Sequence, residues 1–209
     1  MDLSKLLIPT SLQTTVLLID RNVLQYDTFV DNVNTSTYPL VYSDDSNIFN
    51  FITSNFKVIT RIGVVCYGGS HLNLFLRNNI LFLINLINKY QVKNIDYLGC
   101  DTLNYSEWTD YYNTIKSETG IIVGASNDKT GNIKHGGNWL MESTNEDIEV
   151  IYFTSGIENY AGLLDNPTVI SGNDTFTDIK RELLFDKDGN VFFIASIDED
   201  QQIYGIYKI

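Results

Sequence analysis

The chain has 209 residues, a net charge of −12 and a pI near 4.4, with 44% hydrophobic and 19% charged residues. That acidic field repels phosphate backbones and anionic lipid, which argues against a nucleic-acid partner. No stretch is long and apolar enough to span a bilayer, so membrane insertion is not expected and the chain reads as a soluble protein.

Thr15-Val16-Leu17-Leu18-Ile19-Asp20 is a continuous apolar run ending in an acid, the pattern of a buried parallel strand. Val23, Tyr26, Val30 and Val33 then fall at roughly helical spacing, and Tyr38 to Tyr42 reads as a second strand. Ser43-Asp44-Asp45-Ser46 supplies capping residues for a helix carrying Ile48, Phe49, Ile52 and Phe56. Arg61 to Tyr67 is a third strand that breaks into Gly68-Gly69-Ser70-His71, so the chain turns sharply at its carboxyl end. A largely buried helix follows over Asn78 to Tyr90. Then come a strand over Ile95 to Cys100, a helix over Ser106 to Ser117 and a core strand over Gly120 to Ala125.

This alternation predicts an α/β fold: a mainly parallel sheet covered on both faces, with ligand sites where strands run into loops. The Gly68–His71 and Cys100–Asp101 turns are the two such places. After Asp165-Asn166-Pro167 the pattern changes to three antiparallel strands, Glu182–Phe185, Asn190–Ala195 and Ile203–Tyr207, with turns at Asp186–Gly189 and Asp198–Asp200. The expected division is residues 1–165 as the α/β domain and 166–209 as a β appendage. A sheet this small cannot bury both of its faces alone.

Cys66 and Cys100 both close apolar runs, which suits reduced thiols better than a disulfide. Two histidines and two cysteines without ligand spacing predict no metal site, and nothing points to a cofactor. Trp108, Tyr111 and Tyr112 sit at helical spacing and read as core, and Trp139 as an anchor for the Gly136-Gly137 turn.

Three segments carry a resemblance: Leu18-Ile19-Asp20, Gly99-Cys100-Asp101, and Val123 to Gly131 continuing into Gly136-Gly137-Asn138-Trp139-Leu140-Met141-Glu142. Through them residues Val16 to Leu164 resemble the domain-of-unknown-function family 4347, which looks distantly like the caspase-type clan CD peptidases. The resemblance implies a caspase-like three-layer sandwich. It also implies Cys100 as the candidate nucleophile, with a histidine expected at the end of the third strand. Cys66-Tyr67-Gly68 puts tyrosine there, and a phenol with a pKa of about 10 is a poor base for a thiol at neutral pH. His71, four residues on, is the one imidazole of that loop and the alternative base.

The expectation is therefore a non-catalytic module, a structural or interaction component of a larger assembly such as a viral particle. It would engage a protein partner or copies of itself. A cysteine hydrolase using Cys100 and His71 is the alternative, and a small-ligand or sugar-binding protein a third reading. The N-terminus does not read as an export signal, so the expected location is cytoplasmic or within a virion.

Overall fold

In the computed structural model, residues 10, 12–43 and 48–165 are described, together with the backbone of 178–185, 191–198 and 203–208. The expected cap at 44–46 and the appendage turns at 186–189 and 199–200 lie outside the described residues. The chain divides into two units, residues 1–165 and 166–209.

The first unit is built on five parallel strands: β1 (Thr15–Asp20), β2 (Thr37–Tyr42), β3 (Arg61–Val65), β4 (Asn94–Leu98) and β5 (Ile122–Ala125). Their order across the sheet is β2-β1-β3-β4-β5. Every residue of β1 is buried, as its unbroken apolar run requires of a strand flanked on both sides. Pro39 lies in β2 at the edge of the sheet, where the missing N–H disturbs no ladder.

Alternate side chains enter two separate cores. Val16, Leu18, Ile62, Val64, Ile95 and Tyr97 face a helical layer of α2 (Ile48–Asn55), α3 (Leu74–Asn78), α4 (Ile80–Tyr90) and α5 (Ser106–Thr119). Leu17, Ile19, Val65 and Leu98 face the other layer, made of α1 (Tyr26–Asp31), a short hairpin of β6 (Leu140–Met141) and β7 (Glu146–Asp147), α6 (Glu149–Tyr152) and the segment up to Leu164. The domain is thus a three-layer α/β sandwich.

On α5, Trp108, Tyr111, Tyr112 and Ile115 form one buried stripe at i, i+3, i+4 and i+7 spacing, as their periodicity predicts. Trp139 is buried edge-on to Phe29 of α1, and its indole N–H donates to Glu158 Oε1 at 2.9 Å. The helix expected over Asn78–Tyr90 is α4, which begins two residues later, and a separate short helix, α3, precedes it. Asn73 caps α3 through its side chain, accepting from the Phe75 and Leu76 amides, and Asn79 ends it. The apolar period runs across Asn79, so the break leaves no mark in the sequence.

The second unit contains β8 (Asp178–Phe185), β9 (Val191–Asp198) and β10 (Ile203–Lys208), an antiparallel sheet in the order β10-β9-β8. β8 begins four residues before the expected Glu182, β9 runs three residues past Ala195, and β10 one past Tyr207, while the other ends fall within one residue of expectation.

No helix among the described residues is long and apolar enough to cross a membrane.

Candidate functional site at the carboxyl edge of the sheet

In a sheet of order β2-β1-β3-β4-β5 the direction of winding reverses between β1 and β3, and a crevice opens at the carboxyl ends of those strands. Here it is closed by the chain's own polar groups. Asp20, at the end of β1, accepts from the Asn22 amide at 2.8 Å and from Asn73 Nδ2 at 2.6 Å. Tyr67 follows β3, and its hydroxyl accepts from the Leu24 amide at 2.8 Å. Burial raises the Tyr67 phenol above its ordinary pKa, a shift the Leu24 N–H opposes and Asp20 reinforces.

Tyr67 and Cys100 close adjacent parallel strands, and the two loops are stitched together. The Cys66 amide donates to Leu98 O at 3.2 Å, and the Gly69 amide to Cys100 O at 3.1 Å. Trp108 Nε1 donates to Gly69 O at 3.0 Å, which pins the β3 loop to α5.

Cys100 itself is fully buried. Its sulfur accepts from the Thr130 amide at 3.2 Å, and its thiol lies 3.4 Å from Thr130 O as a donor. Burial pushes the thiol up to about 12. The Thr130 N–H opposes the shift, while Asp165 and Asp101 add to it. His71 stands elsewhere: its ring is 86% exposed, with Nδ1 3.8 Å from Glu107 Oε2. Glu107 in turn accepts from the Leu72 amide at 2.8 Å and pairs with Arg77, so this carboxylate organises the outer part of the loop. His135 is exposed after β5. Cys66 and Cys100 are free and project into opposite cores, which explains why neighbouring strands bring no disulfide. Among the described residues no group of three or more His, Cys, Asp or Glu side chains is placed to hold a metal ion.

Two features escape a reading of the sequence. The first is a pair of backbone donors: the Gly68 and Cys100 amides, from different loops, both donate to Leu164 O at 2.9 Å. The second lies within the sheet, where Asp96 is wholly buried against Arg61 and Tyr152. Its signal was an aspartate inside an apolar strand, in register with Gly63 on one side and Gly124 on the other. A Cβ at Gly124 would lie 2.1 Å from Asp96 Oδ1, and one at Gly63 would lie 2.8 Å from the Tyr152 ring, so both glycines leave room for this cluster.

The buried thiols give a pH prediction. Burial raises both the Cys66 and the Cys100 pKa, so the folded state holds protons that the unfolded state releases near pH 8.5–9. Stability is therefore complete below that range and falls as pH rises toward the folded-state values. By pH 9.5 each thiol should have withdrawn about 1 kcal/mol. Urea unfolding at pH 7.5 and 9.5 measures the loss, and a double Cys→Ser variant should lose less over the same interval.

Fold and site together define a doubly wound parallel α/β domain with a buried thiol at one strand end and paired backbone donors beside it. The chain belongs to the family described as domain of unknown function DUF4347, whose model matches residues 16–164. Neither a curated protein nor a solved structure matches the chain.

Proposed function

We propose that this chain is a non-catalytic, caspase-like module that serves as a structural or interaction component of a larger assembly, such as a viral particle. The observation that carries the reading is the state of Cys100. A nucleophilic thiol needs access and a base that draws off its proton. The Cys100 sulfur is buried and bonded to the Thr130 backbone, Tyr67 fills the strand-end position, and the His71 ring stands in solvent beside Glu107. The three-stranded sheet of the second unit supports an interaction role, since β8 and β10 each offer an edge to which a further strand can pair.

The alternative, a cysteine hydrolase with Cys100 as nucleophile and His71 as base, is favoured by one observation. The Gly68 and Cys100 amides converge on a single carbonyl oxygen, as oxyanion-binding donors do.

Two measurements separate these readings. With a thiol-reactive probe at pH 7.5, Cys100 should react at least about a hundredfold more slowly than free cysteine, because its thiolate is scarce and covered. Light scattering should find the purified chain self-associated, or capture from its native source should retain a partner, and Cys100→Ala should leave that association unchanged. Rapid labelling of Cys100 together with cleavage abolished by Cys100→Ala would establish the hydrolase. A monomer that retains no partner would sink the interaction role.

A further inference from the structure

The segment Gly162–Asp165, at the end of the first unit, is held by backbone groups in the way a bound peptide is held. Leu163 pairs antiparallel with Gly131. On either side of that bridge the Leu164 amide donates to Thr130 O at 2.9 Å, and the Asn132 amide donates to Gly162 O at 3.1 Å. These three residues thus add a short strand to the edge formed by Thr130–Asn132. The Leu164 carbonyl lies on the Gly68 and Cys100 donor pair, and its side chain is buried in the core that also holds Cys100. Addition of a strand to an exposed edge, with one apolar side chain seated in a pocket, is a general mode of peptide recognition.

The slot is one backbone wide. A Cβ at Gly131 would lie 2.7 Å from Gly162 O and 2.9 Å from Leu163 Cα, and one at Gly137 would lie 2.7 Å from Leu163 Cδ2. Glycine at both positions is what admits the segment. Because Gly162–Asp165 is the last stretch of its unit, it can leave the slot without drawing out any later element of that unit.

We infer that the Thr130–Asn132 edge and the Gly68/Cys100 donor pair form a binding site for an extended peptide of the pattern Gly-Leu-Leu-Asp, and that the chain's own Gly162–Asp165 is its resident occupant. A partner strand of the same pattern binds by exchange with the resident. This inference rests on the interaction role proposed above and supplies the chemistry of the ligand. A tethered occupant competes at high effective concentration, so exchange is weak until the resident is loosened.

The test uses the full chain and its two thiols. Cys100 lies under the resident segment, whereas Cys66 sits in the opposite core and reports only on global unfolding. Leu164→Ala removes the apolar anchor. Leu163→Gly is a second, milder variant, because Leu163 packs against the core but is only partly buried. In at least one variant, Cys100 labelling should rise by about tenfold or more while Cys66 labelling stays at its original rate, as local opening predicts. Adding the peptide Tyr-Ala-Gly-Leu-Leu-Asp should then return Cys100 to protection, whereas a scrambled peptide should not. The two thiols accelerating together in both variants, no acceleration in either, or exposure of Cys100 that the peptide fails to reverse would each overturn the inference. Association measured on the same samples distinguishes the two proposals. A chain that stays assembled while the peptide does nothing loses the slot and keeps the interaction role.

Discussion

Replacing Arg61 with alanine should lower the free energy of unfolding by about 3–5 kcal/mol, the range for removing one partner of a buried ion pair. Arg61 Nε lies 2.6 Å from Asp96 Oδ2 and its Nη2 lies 3.0 Å from Oδ1, a two-pronged pairing with a carboxylate that has no exposed surface. Burial by itself would lower the Arg61 pKa, but the bonds to Asp96 and Glu146 outweigh it and hold the guanidinium above its ordinary value. Burial raises Asp96, and Arg61 is the larger opposing influence, with the Tyr152 hydroxyl adding to it. Without Arg61 the carboxylate keeps only the Tyr152 hydroxyl as a side-chain donor, and it must take up a proton or remain charged in the core. Adding Asp96→Asn to the Arg61→Ala chain should therefore recover part of the loss, so the two changes together cost less than their sum. Glu146, 39% exposed on the outer side of Arg61, should matter far less, with Glu146→Gln costing under about 1 kcal/mol. Urea unfolding at unchanged slope reads all five chains: the parent, Arg61→Ala, Asp96→Asn, the double variant and Glu146→Gln. An Arg61→Ala cost near that of Glu146→Gln would mean that Asp96 is not desolvated in solution.

How much of this the sequence discloses depends on the range over which each feature is decided. The five strands are legible because buried parallel strands are continuous apolar runs and turn signals bound them. The carboxyl ends of β1, β3 and β4 could therefore be located to within two residues from Asp20, Tyr67 and Cys100, and the α5 stripe is equally local. The split between α3 and α4 is not, because Asn79 interrupts a helical period without changing it. His71 illustrates a different limit. Its place in the loop is plain from spacing, but its exposure is set by Glu107 and Trp108, which pin the loop from a distant helix. Asp96 was visible as an acid within a strand, yet its partners come from the start of β3 and from α6. The Leu163–Leu164 seat was wholly hidden. Nothing in residues 160–165 announces that their carbonyl and amide groups will be met by Gly68, Cys100, Thr130 and Asn132.

Gly68→Ala should cost about 3 kcal/mol or more, because a well-packed site yields only by shifting backbone. A Cβ there would lie 1.9 Å from Cys100 O, 2.6 Å from its N and 2.8 Å from its C, all main-chain atoms of the neighbouring loop. The requirement is one of space, since Gly68 is not among the glycines of the described residues with positive φ. Gly136 supplies the opposite case: its φ is +82°, and nothing lies within 4 Å of where its Cβ would stand. Gly136→Ala should therefore cost about 1–2 kcal/mol from backbone conformation alone. Comparing the two by urea unfolding separates crowding from strain. The Gly68 change should also carry a local signature, because forcing the β3 and β4 loops apart separates the two amides that hold Leu164 O. Cys100 should then label faster than Cys66 under conditions where the rest of the chain stays folded. Equal costs for the two glycines, or a Gly68→Ala chain whose Cys100 stays as protected as before, would show that the loops do not meet as closely as their backbones indicate. A glycine after Tyr67 is thus what lets two strand ends approach until their amides share one oxygen. The same approach of the β3 and β4 loops that brings the Gly68 and Cys100 amides together builds the seat for the chain's own Leu164.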